Sequence, residues 1–302
     1  MNTIRTATTI PEYLEQLRAA LAGADRAMIQ DALYDAEEYL RSELAEQSGR
    51  SEAEVIASVA GSYGAPEEVA EIYRDTEVTV NRALRQPPAR KRTSIAGQFF
   101  GVIVDPRTYG ALFYMLLSLA TGIVYFTVVT TGVSLSLGLL ILIIGIPLLV
   151  LFLGLIRVLS LVEGRIVEVL LGERMPRRPL YTQRGKGWLE RIKEMFTDGR
   201  TWTAMLYFLL MLPLGVVYFT VAVTGLSLAA GLIAAPFLSL IDAPGDVVMN
   251  FGGWSPVDYV WMWPVVMALG VLVLFVTLHV ARLVGKVHGT LAKHLLVRNA
   301  VV

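Results

Sequence analysis

Apolar positions recur at helical spacing from the start of the chain. Tyr13, Leu14, Leu17 and Leu21, then Met28, Ile29, Ala32, Leu33, Ala36, Leu40 and Leu44, fall on one stripe when wound at 3.6 residues per turn. The stretch 11–84 therefore predicts amphipathic helices with punctuated starts. Thr9 precedes Pro11, Asp25 precedes Met28, Ser51 and Glu54 form a capping box, and Pro66 opens a turn holding Glu67 and Glu68. Gly49 and Gly64 supply the breaks.

Beyond residue 108 the amphipathic pattern gives way to uncharged runs. No charged residue falls within 108–156 or 201–241, and 259–281 holds only His279 as an ionisable group. A bilayer core of about 30 Å needs about 20 apolar residues per helix, so the first run predicts a hairpin of helices over 109–129 and 133–156. Thr130, Thr131 and Gly132 would make its turn. In the second run, 226–240 is a segment whose fifteen residues rise only about 22 Å. It is expected to be a re-entrant or interfacial helix, followed by a full span from about residue 259.

The two runs are alike. At an offset of 93, residues 105–140 match 198–233 at 20 of 36 positions. Asp105 and Asp198, Arg107 and Arg200, Tyr114 and Tyr207, Tyr125 and Tyr218, Thr127 and Thr220, and Thr131 and Thr224 stay in register, as do glycines 122 and 215, 132 and 225, and 138 and 231. Shared hydrophobicity would not align polar residues, so the pattern reads as a duplication giving parallel repeats about an axis along the membrane normal. The expected fold is all-α: a polytopic membrane bundle of two parallel repeats, with four full spans plus one re-entrant or interfacial helix, behind a small N-terminal helical domain. Its parts are 1–86, a basic juxtamembrane linker 87–104, a first repeat 105–200 and a second repeat 201–302.

Charge orients this arrangement. The chain has 302 residues, 55% of them apolar, and its zero net charge is a cancellation. Residues 1–87 carry 16 acidic and 8 basic side chains, which leaves 10 acidic and 18 basic beyond. Ten Lys and Arg lie in 157–200, four in 282–298 and five in 85–107, while 130–132 and 242–258 hold none. The positive-inside rule then places both termini and the central loop in the cytoplasm of a cell-membrane protein. The first residues lack the apolar core of a secretory leader, so none is expected. The chain has no cysteine, which removes disulfides, thiolate metal sites and cysteine nucleophiles.

Candidate chemistry is sparse. His279, His288 and His294 are spaced nine and six apart, whereas ligands on one helical face need three or four, so no metal or other cofactor is expected. A serine nucleophile would find no base in the uncharged spans, and an enzyme is not expected. On the outer side, Asp242, Asp246 and Asp258 lie beside Trp254, Tyr259, Trp261 and Trp263; the aromatics suit interface anchoring, and the carboxylates suit a cation or cationic peptide. Tyr125 and Tyr218 lie deep enough to need partners inside the bundle. Gly132, Ser134, Ser136 and Gly138, with Gly225, Ser227 and Gly231, read as packing between the repeats, ahead of any homo-oligomer seam. Arg90, Lys91 and Arg92 in the linker, and Trp188, Arg191 and Lys193 in the central loop, suit an anionic lipid surface or a contact with the N-terminal domain.

Two resemblances cover nearly the whole chain. Residues 99–297 resemble the sensor domain family that often precedes bacterial histidine kinases, through DPRTY and DGRTW, YFTVVTTGVSLSLGLL, GIPLLVLFLGLIRVLSLVEGR and LHVARLVGKVHGTLAKHLL. The N-terminal part resembles the small HAAS signalling domain through YLEQLRAAL, DALYDAEEYLRSELAE and GSYGAPEEVAEIY. The resemblances imply a non-catalytic signalling accessory, with a PadR-type transcription regulator as partner and no direct contact with nucleic acid. With no kinase sequence after Val302, output is expected through the N-terminal domain or a separate protein. The alternative class is a small transporter or permease subunit, against which stands the expected lack of Asp, Glu, Lys or Arg in mid-membrane. A purely structural scaffold is the third.

Overall fold

Helix caps set the first elements. A computed structural model describes residues 7–47, 49–84, 95–139, 144–176, 196–241 and 254–297. Helix α1 (Ile10–Ala20) starts at Thr9, whose hydroxyl accepts from the Glu12 amide at 3.3 Å. Helix α2 (Arg26–Glu46) starts at Asp25, whose carboxylate accepts from the Ala27 amide at 2.9 Å. The Ser51–Glu54 box opens α3 (Glu52–Ser62), and its two hydrogen bonds from Ser51, backbone first, hold the Glu54 carboxyl below its usual range. Helix α4 (Pro66–Leu84) follows Gly64, which has a φ of 110°. These helices close on Tyr13, Leu17, Leu21, Met28, Leu40, Ile56 and Val69, and the Tyr13 hydroxyl donates to the Gly64 carbonyl at 2.8 Å.

The remainder is a bundle. A short helix α5 (Ile95–Phe100) and a 3-10 turn (Gly101–Val104) lead into α6 (Pro106–Leu139), followed by α7 (Gly145–Leu171), α8 (Gly199–Ser239) and α9 (Trp263–Leu296). The last four are long and apolar enough to cross a membrane by length and composition. No β-strand occurs among the described residues. The chain is thus all-α with four candidate spans, and its exposed leucines, valines and phenylalanines on those helices suit lipid contact.

Two boundaries differ from expectation. Helix α6 runs through Thr130–Gly132 without a turn and reaches about 51 Å, and α7 begins only at Gly145. Thr130 does not break the helix because its hydroxyl donates to its own helix, to the Phe126 carbonyl at 2.8 Å. Nor is 226–240 a separate re-entrant or interfacial helix: it is the last third of α8, which passes Pro213 and Pro236 unbroken. Packing explains its continuity. Gly225 lies against Thr277 of α9 and Gly270 of α9 lies against Leu232 and Ile233, burying Ala229, Leu232 and Ala235.

Positions 93 apart occupy matching settings. Asp105 accepts from the Arg107 amide and Asp198 from the Arg200 amide, each at 3.1 Å. The Tyr109 hydroxyl donates to the Ile103 carbonyl at 2.6 Å, and Trp202 Nε1 donates to the Phe196 carbonyl at 2.9 Å. Helices α6 and α8 cross where Gly122 meets the backbone of Met211 and Leu212 and Gly215 meets that of Ser118 and Leu119. Ion pairs then cross between halves, Arg157 to Asp198 at 3.4 Å and Arg282 to Asp105 at 3.3 Å. The crossing glycines are not the ones expected. Gly132 packs on Phe152 and Gly225 on Thr277, each inside its own half, while Gly138 and Gly231 face no neighbour within 4 Å among the described residues.

A methyl group at the crossing must push two backbones apart. Gly122→Ala and Gly215→Ala are therefore expected to destabilise the bundle by about 1–3 kcal/mol each, with Gly138→Ala neutral, as read by unfolding in detergent.

Candidate functional site: a buried glutamate, histidine and tyrosine network

Two residues eleven apart on a helix share a face, since three turns take about eleven residues. Tyr114 and Tyr125 do so on α6, and Tyr207 and Tyr218 on α8, and both faces turn toward the space that α7 and α9 fill. Helix α7 brings Glu163 there and α9 brings His288. Both are fully buried, and so are Tyr114 and Tyr207.

The geometry is a continuous hydrogen-bond network. Glu163 Oε1 accepts from the Tyr114 and Tyr207 hydroxyls, each at 2.8 Å, and Oε2 accepts from Tyr125 at 2.9 Å. The same two central hydroxyls lie 2.5 Å and 2.8 Å from His288 Nε2, and 3.4 Å from each other. Tyr218 closes the other side, its hydroxyl 3.4 Å from His288 Nδ1. The helices thus contribute in matched fashion: the inner tyrosine of each half bridges Glu163 and His288, and the outer tyrosine holds one of them.

Donor accounting fixes what this set can do. With the carboxylate accepting three phenol protons, a neutral imidazole protonated on Nε2 donates to the central oxygens and accepts from Tyr218 on Nδ1, so every buried polar group is satisfied. Adding one proton to Glu163 allows the reverse order: the acid donates to a central hydroxyl, that hydroxyl donates to Nε2, and Nδ1–H donates to Tyr218. Two proton arrangements therefore differ by one proton and in bridge direction, the Tyr218 hydroxyl donating to Nδ1 in the first and accepting from it in the second. Glu163 and His288 are also metal-ligand types, but among the described residues no group of three such side chains forms.

The sequence places no acidic or basic residue in mid-membrane; Glu163 lies within α7, a candidate span, eight residues from its charged end. Arg157 looked like the end of a span, yet α7 continues to Leu171 and carries Glu163 inward. A signal existed. VEG at 162–164 and VHG at 287–289 follow Arg157 and Arg282 at the same distance, with paired leucines at 170–171 and 295–296. Aligning these ends would have put Glu163 opposite His288.

Other candidates fall elsewhere. Tyr125 and Tyr218 are inside the network, with Tyr125 also against the Phe208 ring at 4.7 Å. Trp254 and Asp258 are exposed near the far end, where α9 begins, Asp258 in a 3-10 turn (Pro256–Asp258). Asp242, Asp246, Arg90, Lys91, Arg92, Trp188, Arg191 and Lys193 lie outside the described residues. His279 Nε2 is 3.2 Å from the Phe99 carbonyl, tying α9 to α5. At the charged end, Lys293 pairs with Asp25 and Arg174 lies 3.9 Å from Asp31, which joins α9 and the residues after α7 to the first helices.

Removing the Tyr125 hydroxyl takes one donor from a buried carboxyl. Tyr125→Phe is expected to cost about 1–3 kcal/mol in detergent unfolding, whereas Tyr109→Phe, at a half-exposed hydroxyl, stays near neutral.

The comparisons with known proteins bear on this region. Residues 114–296, well over half of the chain, match the family described as Putative sensor, and the match takes in all six network residues. No curated protein matches the chain, and no solved structure does. The chain belongs to that sensor family, and its buried network and four candidate spans lie in or across the matched region.

Proposed function

We propose that this protein is a non-catalytic membrane signalling accessory that couples a membrane or extracytoplasmic stimulus, such as a lipid, envelope stress or an outer ligand, to a cytoplasmic regulator. The observation that carries the reading is the short mechanical path from network to N-terminal helices. His288 and Lys293 sit five residues apart on α9, and Lys293 holds Asp25; Glu163 on α7 precedes Arg174, which faces Asp31. A change at the network that shifts α7 against α9 alters the cations that hold the N-terminal module. The two proton arrangements of the network supply the bistable element that such a switch requires.

Several features support the finer parts. Matching caps, crossing glycines and crossed ion pairs favour reading the halves as parallel copies. The surplus of Lys and Arg at the charged end favours cytoplasmic termini. Resemblance of α1–α4 to the HAAS domain favours a PadR-type regulator as partner, and the two ion pairs favour a charge-held off state released by the stimulus.

A second reading has gained one observation, because Glu163 is the in-span ionisable group that a proton-coupled carrier would use. Its full burial with His288 speaks for a switch over a pathway. Substrate flux in proteoliposomes would favour the carrier.

The cysteine-free sequence allows a direct test. Spin labels at Glu71→Cys and Thr290→Cys, both exposed, report the distance from α4 to the end of α9. In nanodiscs, Glu163→Gln or His288→Ala is expected to shift or broaden that distance by a few ångströms, and Lys293→Asn to broaden it further. An unchanged distribution in both network variants overturns the coupling.

A further inference from the structure

The N-terminal helices carry a site that the coupling above does not use. Between α2, the end of α3 and α4 lies an open groove of about 530 Å³, lined by Asp35, Glu38, Tyr39, Ser42, Tyr63 and Tyr73. The Tyr39 and Tyr63 rings stack with centroids 4.6 Å apart and planes within 16°, so each covers one face of the other and only the outer faces of the pair can take a further planar group. The Tyr73 hydroxyl donates to Asp35 Oδ2 at 2.8 Å, which fixes that carboxylate at the groove, and Glu38 stands exposed at the rim. Burial, with the nearby Asp35 charge, pushes the Tyr63 and Tyr73 phenols up, so both stay neutral at physiological pH. Among the described residues, no lysine, arginine or histidine lines the groove.

We propose that this groove receives an arginine side chain from a basic segment of a partner protein, its guanidinium lying on an outer face of the Tyr39–Tyr63 stack and forking to Asp35. A planar cation stacks on an aromatic face and bonds a carboxylate edge-on at once, which an ammonium cannot do. The surrounding region carries 16 acidic against 8 basic residues, so long-range attraction also favours a basic partner. This rests on reading α1–α4 as the output module and specifies the chemistry of its partner.

The test uses the full chain in nanodiscs and a fluorescein-labelled Gly/Ser decapeptide bearing two arginines, followed by anisotropy at physiological ionic strength. Saturable binding is expected, lost with citrulline in place of arginine and several-fold weaker with lysine. Asp35→Asn should weaken it at least tenfold, and the exposed Glu38→Gln severalfold without touching the fold, while Glu71→Gln on another face changes it less than twofold. Absence of binding, equal affinity for lysine and arginine peptides, or equal losses from Glu38→Gln and Glu71→Gln would overturn the proposal; the last two would mean unspecific charge attraction. Binding that persists while the spin-label distances ignore the network variants would leave the groove standing and remove only the coupling.

Discussion

A carboxyl group sealed among helices has to find donors, and Glu163 finds three of them in tyrosines from both halves of the bundle. Breaking such a buried set leaves charge or donors without partners, at a cost of several kcal/mol. The register of α6 against α8 follows from this requirement, because Tyr114 and Tyr207 must both reach Oε1. The glycines at 122 and 215 let them do so by allowing two backbones to touch one to two turns further along. Ion pairs from Arg157 to Asp198 and from Arg282 to Asp105 then fix the charged ends of the same helices.

The network is central but not isolated. His288 packs edge-on against Tyr218 and tilted against Tyr114, so its ring orientation depends on both halves. The next residue, Gly289, lies against Glu173, and Lys293, a little over one turn onward, reaches Asp25. Rigid helices transmit a rotation along such a path better than loops do, and the N-terminal helices meet the bundle at the ends of α7 and α9. The ion pairs in that contact, Lys293 with Asp25 and Arg174 with Asp31, are both largely shielded from solvent.

How much of this was legible follows from local chemistry. Caps at Thr9, Asp25 and Ser51 are written in neighbouring residues, and the structure starts helices at each. The number of spans followed from hydropathy. Their limits did not, because polar residues inside an apolar helix bond to their own backbone, as Thr130 does, and a charge near one end reads in sequence as the end itself. Glu163 was hidden for that reason. Its partners were visible as register-matched tyrosines, yet what they bond to depends on α7 and α9, whose correspondence is spaced differently from the 93-residue repeat of α6 and α8. Contacts between elements of different spacing are set by tertiary packing, which no local window records.

The most direct test is a double-mutant cycle between Glu163→Gln and His288→Asn, read by reversible unfolding in lipid or detergent. These residues do not bond each other; only the Tyr114 and Tyr207 hydroxyls connect them. A coupling energy of about 1 kcal/mol or more is the predicted result. Strict additivity of the two changes would mean that the glutamate and the histidine stand in separate environments, contrary to the account.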